Sequence, residues 1–393
     1  MELRLAERMN YLKASEIREL LKLTEEPEII SFAGGLPAPE LFPTDKLSEI
    51  AVRVLKEDGR SALQYGPTEG YKPLRKIIAQ ERMTTAGVNV TMDNILITNG
   101  SQQGLDFTGR IFLDKDDVVI CESPSYLGAI NAYRAYMPKF VEIPMDDNGM
   151  IIEELAKALQ QYPKAKFIYT IPDFQNPTGK TLSLDRRIKL LELAEKYDIP
   201  IIEDNPYGEL RFDGEHIPSL MSLDKTGRVI YLGTFSKTFC PGFRLGWVCA
   251  SEEILSKYII AKQGADLQSS SISQREAALF MQTYKLDDHI ENIKKVYKVR
   301  RDLMIEMMEK EFPKVCKFTY PKGGLFTWVT IPEQYDAAEI LQLALKEKVA
   351  FVPGRSFFAN GNEGNHFRLN FSNMSEEKII EGIKRLGKVL KDF

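Results

Sequence analysis

The stretch Tyr231-Leu-Gly-Thr-Phe-Ser-Lys-Thr-Phe-Cys-Pro-Gly-Phe-Arg-Leu-Gly-Trp247 joins an apolar run, a loop of small hydroxyl residues with one lysine, and an arginine seven residues later. A lysine is nucleophilic only when deprotonated, and cationic or desolvating neighbours lower its pKa. Arg244 could act in this way on Lys237, and with Thr234 and Ser236 it could bind a phosphate. The layout therefore suits an amine that binds a phosphorylated aldehyde. The alternative is a strand that ends in a Pro-Gly turn, with two solvated cations.

A second segment, Phe174-Gln-Asn-Pro-Thr-Gly179, follows the apolar run 166–171 and precedes helical periodicity over 183–197. Asn176 is thus predicted at the carboxyl end of a strand, where open parallel sheets bind ligands. The alternative is a plain turn between a strand and a helix, since Asn-Pro and Thr-Gly are common in loops.

A third segment, Pro200-Ile-Ile-Glu-Asp-Asn-Pro-Tyr207, predicts a short buried strand that ends in Asp204. A carboxylate at this strand end would point into the same crevice as Asn176, with Tyr207 three residues further on. A pyridine nitrogen needs such a carboxylate to stay protonated and act as an electron sink. Asp204 could instead cap a turn.

A fourth segment, Asn94-Ile-Leu-Ile-Thr-Asn-Gly-Ser-Gln-Gln-Gly104, leads from a predicted strand through Asn-Gly into the first turn of a helix. Ser101 and Gln102 would present backbone N–H groups and a hydroxyl at the positive end of that helix, which suits a phosphate. An ordinary serine N-cap would have the same sequence. The order of the four segments, which is phosphate turn, asparagine turn, strand-end aspartate and lysine loop, favours the functional interpretation of each over the ordinary turn or cap.

In that order the segments resemble the fold-type I pyridoxal 5'-phosphate (PLP) enzymes, specifically the class I and II aminotransferases. The similarity runs from about Ser15 to Arg368. Within the superfamily the chain is similar to the 2-aminoadipate and kynurenine aminotransferase group. Four further segments carry that similarity: Ser31-Phe-Ala-Gly-Gly-Leu-Pro-Ala-Pro-Glu-Leu-Phe-Pro43, Gln64-Tyr-Gly-Pro-Thr-Glu-Gly-Tyr71, Ala261-Lys-Gln-Gly-Ala-Asp-Leu267 and Phe351-Val-Pro-Gly-Arg-Ser-Phe-Phe-Ala-Asn-Gly361.

The resemblance implies a role for each residue around the cofactor ring. Lys237 would form the imine with the cofactor and then move protons once substrate displaces it. Asp204 would face the pyridine nitrogen, while Asn176 and Tyr207 would hydrogen-bond the phenolate oxygen. Tyr126, in Glu122-Ser-Pro-Ser-Tyr126, would stack on the ring.

The resemblance also implies a phosphate site and a partner subunit. The residues expected at the phosphate are Ser101, Gln102, Thr234, Ser236 and Arg244. Relatives often have serine at the position of Thr234, but the hydroxyl is retained. Tyr65 matches a tyrosine that the partner subunit of a homodimer donates to the phosphate.

The resemblance also implies residues that bind the substrate. Arg368 matches the arginine that binds the substrate α-carboxylate in a bidentate fashion, beside Asn176. Gly35 would let the backbone approach the substrate closely. Ser15 would cap a short helix 15–22 whose Arg18 matches an arginine that binds a distal carboxylate in aminoadipate-type relatives. The alternative is a solvated surface arginine.

Strand and helix patterns alternate over 94–250, which predicts an α/β fold with a mostly parallel sheet covered by helices on both faces. A charged helix over 287–311 is expected to lead to a smaller α+β domain. We therefore predict an N-terminal arm with a short helix over 1–30 that gates substrate, a large PLP-binding domain over 31–285, and a small domain over 286–393. Strands are predicted at 95–98, 118–121, 140–143, 167–171, 201–203, 229–232, 245–249, 318–331 in two parts, 350–352 and 367–371.

Composition fits a cytoplasmic enzyme. The 393 residues carry a net charge of −4, so no basic face for nucleic acid and no polybasic membrane anchor are expected. The N-terminus mixes charges, and no run of 18 apolar residues occurs. Four cysteines lack CxxC spacing and three histidines are dispersed, so no metal site is expected. Cys240 is expected to be a passive neighbour of Lys237.

Three functions fit these residues. The leading hypothesis is an aminotransferase that moves the amino group of an α-amino acid to a 2-oxo acid such as 2-oxoglutarate. A β-eliminating PLP-dependent C–S lyase on the same fold is the alternative, because cofactor residues do not exclude it. A ligand-sensing domain of a transcription regulator would need a DNA-binding module, and only about 30 residues precede Phe32.

Overall fold

The computed structural model describes residues 4–12 and 28–391. The strands within them are β1 (Ile30–Ser31), β2 (Ile95–Thr98), β3 (Val118–Ser123), β4 (Lys139–Asp146), β5 (Gly149–Met150), β6 (Phe167–Thr170), β7 (Ile201–Asp204), β8 (Val229–Thr234), β9 (Gly246–Cys249), β10 (Lys317–Phe318), β11 (Phe326–Thr330), β12 (Val349–Ala350), β13 (Val352–Pro353) and β14 (His366–Asn370). The α-helices are Thr44–Ala62, Lys72–Ile77, Met83–Thr85, Ser101–Phe112, Leu127–Arg134, Ile152–Gln161, Leu184–Tyr197, Leu220–Leu223, Glu252–Gln263, Ser271–Thr283, Leu286–Glu311, Ala337–Lys346 and Glu376–Lys391.

The main sheet has the strand order β2-β9-β8-β7-β6-β3-β4-β5 within the described ranges. The run β8-β7-β6-β3-β4 is parallel, whereas β9 lies antiparallel between β2 and β8. The mostly parallel α/β sheet predicted from the sequence is therefore confirmed, and the strands predicted between 95 and 249 occur with ends shifted by up to three residues. The parallel order brings the carboxyl ends of β6, β7 and β8 to one edge.

Apolar side chains cover both faces of this sheet. Along β3, Val119 and Cys121 belong to one buried cluster, while Ile120 between them belongs to another. Successive side chains on a strand point to opposite faces, so the two clusters lie on opposite sides of the sheet. This accounts for the nearly continuous apolar runs from which the strands were predicted.

A second sheet lies in the C-terminal part of the chain, with the order β10-β11-β14-β13 and antiparallel pairing. The helix Leu286–Glu311 precedes it, as the charged amphipathic pattern predicted. The single strand predicted at 350–352 is wrong, because the chain there forms two short strands. β12 pairs with β1 near the N-terminus, and β13 pairs with β14.

The residues after β1 also contact the C-terminal part of the chain. Phe32 N–H donates to Ala350 O at 2.8 Å, and Asn370 N–H donates to Phe32 O at 2.9 Å. The division at residues 30 and 285 stays a prediction. None of the helices in the described parts of the chain combines the length and apolar character that crossing a bilayer requires.

Candidate active site

A cavity of about 280 Å³ opens at the carboxyl edge of β6, β7 and β8. It brings together residues predicted from widely separated segments: Gly35, Ser101, Gln102, Tyr126, Asn176, Asp204, Tyr207, Thr234, Ser236, Lys237, Arg244 and Arg368. Tyr65 does not line it, and its side chain is 80% exposed. Ser15 and Arg18 lie outside the described residues.

Lys237 is half-buried in the loop that follows β8. Its Nζ donates to Gly35 O at 2.7 Å. Burial, followed by the charges of Arg368 and Arg244, lowers the pKa of Lys237 to about 8. An amine with this pKa is partly neutral near pH 8, so it can act as a nucleophile and as a base. The sequence pointed to Arg244 as the source of this effect, but burial is the larger cause.

Asp204 is the last residue of β7 and is 1% exposed. Its Oδ2 accepts a hydrogen bond from the Tyr169 hydroxyl at 2.9 Å, while Oδ1 is buried and has no hydrogen-bond partner. Burial raises the pKa of Asp204 to about 7. A buried carboxyl oxygen without a donor is costly, so this atom is suited to a ligand that brings an N–H group.

Asn176, Tyr207 and Arg368 form a connected group in the same cavity as Lys237. The Arg368 Nη1 donates to Asn176 Oδ1 at 2.7 Å, and the Asn176 Nδ2 donates to the Tyr207 hydroxyl at 3.4 Å. Arg368 lies on β14, so the C-terminal sheet supplies this wall. Its guanidinium stacks on the ring of Phe326 at 4.1 Å, its Nη2 donates to a backbone carbonyl, and its Nε has no partner.

Burial and aromatic packing prepare Arg368 for an anion. Burial lowers the pKa of Arg368 to about 10, which leaves it charged at neutral pH. A buried guanidinium without a carboxylate partner is costly unless a ligand supplies the anion. The side chain is therefore suited to bind a substrate carboxylate.

The other end of the cavity is shaped by backbone. Gly100 is the N-cap of the helix Ser101–Phe112, with φ 71° and no side-chain capping bond. The serine N-cap alternative is thus wrong, because Ser101 is already inside the helix. A Cβ on Gly100 would lie 2.7 Å from the Arg244 Nη2, so glycine lets the arginine approach the helix end. The first backbone N–H groups of a helix have no partner within it and attract anions.

Hydroxyl groups complete this end. The Thr234 Oγ1 lies 2.9 Å from the Ser236 Oγ and accepts a hydrogen bond from the Ser236 N–H at 3.1 Å. The Gln102 Nε2 donates to Gly128 O at 2.8 Å. A Cβ on Gly128 would lie about 2.5 Å from the Tyr126 ring, so this glycine makes room for the tyrosine over the cavity.

Two buried residues behind the cavity were missed from the sequence. Tyr169 holds Asp204, as described above. Glu122 on β3 accepts hydrogen bonds from the Thr170 hydroxyl at 2.5 Å and the Gln175 Nε2 at 3.1 Å, and so fixes the residue before Asn176. Burial raises the pKa of Glu122 to about 7. The sequence signal was a polar residue inside an apolar strand.

Cys240, close to Lys237 in sequence, is buried. Burial raises the pKa of the Cys240 thiol to about 12, which opposes formation of the thiolate. This agrees with a passive role for the residue.

Comparison with known proteins identifies the family. Residues 40–386 match the family described as aminotransferase class I and II. The chain is 47% identical to aromatic-amino-acid aminotransferase 1 of Thermococcus litoralis over 97% of this chain and 92% of that protein. This chain belongs to the class I and II aminotransferases. Members of this family are transaminases that depend on PLP, so the enzyme class and the cofactor expected from the sequence are confirmed.

Two solved structures are similar over almost the whole chain. One is a kynurenine aminotransferase from Pyrococcus horikoshii in complex with PMP, KYN and KYA, with a TM-score of 0.95, 44% identity, and coverage of 99% of this chain and 97% of that one. The other is LysN, an alpha-aminoadipate aminotransferase from Thermus thermophilus complexed with N-(5'-phosphopyridoxyl)-L-leucine. It has a TM-score of 0.92, 40% identity, and the same coverage.

Proposed function

We propose that this aminotransferase moves the amino group of several α-amino acids to a 2-oxo acid, with 2-oxoglutarate as the acceptor. The donors would be 2-aminoadipate, glutamate, and aromatic or branched-chain amino acids. The observation that carries the proposal is the buried Arg368, whose unpartnered Nε and packing on an aromatic ring suit it to bind a carboxylate. It lines the same cavity as Lys237, whose lowered pKa lets the amine lose its charge. Every α-amino acid and 2-oxo acid has that carboxylate.

The cavity fits PLP on the unpartnered Asp204 Oδ1, which can accept a hydrogen bond from a protonated ring nitrogen. Bound PLP supplies an aldehyde for amines and a ring that stabilises negative charge at the substrate α-carbon. Asp204 would keep that ring nitrogen protonated. Asn176 and Tyr207 would hydrogen-bond the ring's phenolate oxygen, and Tyr126, which also lines the cavity, would pack on the ring face.

Lys237 would hold the cofactor through its Nζ. Once a substrate amine has replaced it there, the same Nζ would be free to accept the proton from the substrate α-carbon and to donate it back. The lowered pKa of Lys237, about 8, suits this exchange near neutral pH because the amine is then divided between both protonation states.

Arg368 binds the α-carboxylate and Asn176 lies beside it, so the α-carbon is directed at Lys237. The backbone at Gly35 closes the same side, where a Cβ would lie 3.3 Å from the Phe326 ring. The first turn of the helix Ser101–Phe112 with Gln102, together with Thr234, Ser236 and Arg244, would hold the phosphate.

A donor screen tests the function. Each of the proposed donors is incubated with 2-oxoglutarate, and glutamate formation is measured, with a separate reverse assay for glutamate itself. We expect glutamate from dicarboxylic and from aromatic donors. A thioether amino acid distinguishes the C–S lyase alternative: release of pyruvate and ammonia faster than glutamate formation from any donor would contradict the proposal.

The active unit is proposed to be a cytoplasmic homodimer to which Tyr65 contributes across the interface. Tyr65 and Leu63, at 80% and 71%, are the most exposed large hydrophobic residues in the part of the chain that the structure describes, which fits a surface covered by a partner. Tyr65→Phe is mixed with Lys237→Ala under verified subunit exchange. If Tyr65 acts on the partner's site, half of the dimers are hybrids with one intact site, so activity should recover to about a quarter of wild type. Recovery that does not exceed the Tyr65→Phe background would show that each site is built from one chain.

A further inference from the structure

An ion pair outside the cavity holds the phosphate-binding turn. Asp266 follows the helix Glu252–Gln263, and its Oδ2 accepts hydrogen bonds from the Asn99 Nδ2 at 2.5 Å and the Gln103 Nε2 at 2.8 Å. These two residues flank Ser101 and Gln102. Asp266 therefore holds the turn from both ends without lining the cavity.

Lys262 fixes Asp266 and closes the network. The Lys262 side chain is fully buried, and its Nζ donates to both carboxylate oxygens of Asp266 at 3.0 Å. It also donates to the Gln103 Oε1 at 2.9 Å and to the Ser269 Oγ at 3.1 Å. The same Gln103 Oε1 accepts the Asn99 N–H at 2.9 Å. The ammonium group is therefore saturated, and it restrains the turn directly through Gln103 and indirectly through Asp266.

The turn must keep one backbone conformation to bind an anion, and this network restrains it. Gly100 has φ 71°, and the Arg244 Nη2 donates to Asn99 O at 3.3 Å. An anion binds a helix N-terminus well only when the backbone N–H groups are already directed at it. Fixing Asn99 and Gln103 removes the freedom of the backbone between them.

We propose that Asp266, held by Lys262, is the positioning residue of the phosphate turn and makes the site selective for a cofactor that carries a phosphate ester. The inference rests on the proposed phosphate site at Ser101 and Gln102. The loop that contains Asp266 also reaches the segment of Tyr65, because the Gln268 Oε1 accepts a hydrogen bond from the Gly66 N–H. One loop thus links the phosphate turn to the residue proposed to act across the dimer.

The test compares PLP with pyridoxal, which has the same ring and aldehyde but no phosphate. The full-length chain is stripped of cofactor and titrated with each compound, and binding is followed by absorbance. In Asp266→Asn the dissociation constant for PLP should rise by about 10-fold to 100-fold, the scale on which loss of an orienting outer-shell partner acts at other sites. The dissociation constant for pyridoxal should change much less.

Asp213→Asn is the matched control. The Asp213 side chain is 28% exposed against 23% for Asp266, and it also pairs with a buried cation, Arg301. Its side-chain hydrogen bonds come from Lys298 and Arg301 rather than from residues of the turn. This variant should keep the wild-type ratio of PLP to pyridoxal affinity. Equal losses for both ligands in Asp266→Asn, or no loss for either, would overturn the inference.

A milder variant covers the case in which Asp266→Asn fails to fold. Asn99→Ala removes one of the bonds to Asp266 and leaves the ion pair with Lys262 intact. It should lower PLP affinity selectively by a smaller factor, and an unchanged PLP to pyridoxal ratio would reject the positioning role. The wild-type ratio tests the proposed phosphate site separately from the role of Asp266. If the wild type binds PLP no better than pyridoxal, the proposed phosphate site itself is wrong.

Discussion

The two ends of the cavity are held in different ways. At the end proposed to face the cofactor ring, Asn176, Asp204, Tyr207 and Arg368 are each at most 3% exposed and bond to one another or to buried neighbours. At the end proposed to bind the phosphate, Gln102 and Arg244 are exposed, and the shape is set by backbone turns. Loss of one buried partner leaves another polar group unsatisfied, whereas a backbone N–H site survives the loss of a side chain. Single substitutions should therefore act more strongly at the ring-facing end.

The largest effect is expected for Lys237→Ala, which removes the covalent link and the base together. Turnover should fall by at least about 10⁴-fold, the upper range for a general base alone. PLP should still bind weakly through the phosphate end. Borohydride reduction and peptide mapping provide the measurement: wild type should carry the cofactor on Lys237. Cofactor trapped on another lysine would contradict the assignment.

Arg368→Ala tests whether the buried arginine acts on a group that all substrates share. Its loss removes the α-carboxylate partner and also leaves Asn176 Oδ1 and Ala33 O without a donor. We expect kcat/KM to fall for every amino donor, at a cost of about 2–5 kcal/mol for a broken buried charge pair. Glutamate, leucine and phenylalanine are compared in one assay. A loss confined to one class of donor would show that Arg368 recognises something other than the α-carboxylate.

Some of the residues proposed to face the ring could be predicted from local sequence patterns, and others could not. The difference is whether the residue's position depends on neighbouring sequence or on a distant part of the chain. Asp204 and the Lys237 loop could be predicted locally, because each ends an apolar strand and parallel order brings those ends together. Arg368 has no such signal. It comes from the C-terminal sheet, and only the family resemblance pointed to it.

Features that depend on long-range pairing were missed. Tyr169 reaches Asp204 because β6 and β7 are in register with Tyr169 opposite Ile202, which no local pattern shows. Two strands replace the one predicted at 350–352 because β1, more than 300 residues earlier, pairs with the first of them. The roles of Asp266 and Lys262 likewise depend on a helix end packing against the turn at Asn99.

Asp204→Asn sharpens the contrast because it keeps the size of the side chain, removes its charge and replaces one acceptor oxygen by an NH2 donor. The rate of proton removal from the α-carbon should fall by about 10²-fold to 10³-fold, the cost of losing one preorganised electrostatic partner. Single-turnover kinetics measures this rate without interference from product release. A rate close to wild type would rule out Asp204 as the partner of the ring nitrogen.

The same substitution should change how stability depends on pH. Burial raises the pKa of Asp204 from 3.8 to about 7 in the folded, cofactor-free protein, so the folded state binds this proton more tightly than the unfolded state. Its contribution to the free energy of unfolding is present below the unfolded pKa and is lost as pH rises toward 7. Denaturant unfolding at pH 5 and pH 7 should show a smaller decline in Asp204→Asn than in wild type. An equal decline would mean that other buried carboxyls, such as Glu122, carry the effect.

The smallest effect is expected for Arg18→Gln, in a segment outside the described residues whose role is predicted from the sequence alone. Arg368 would bind the carboxylate common to all donors, whereas Arg18 would act only where a second carboxylate exists. Glutamate and 2-aminoadipate should therefore lose about 1.5–3 kcal/mol in kcat/KM, the scale of a hydrogen bond to a charged group. Leucine and phenylalanine should change little, or improve if an unpaired arginine no longer has to move aside. Arg18→Gln and Arg368→Ala are measured on the same donors. A uniform loss for Arg18→Gln would mean that Arg18 has a surface or structural role, and that the cavity wall around Arg368 determines the choice of substrate.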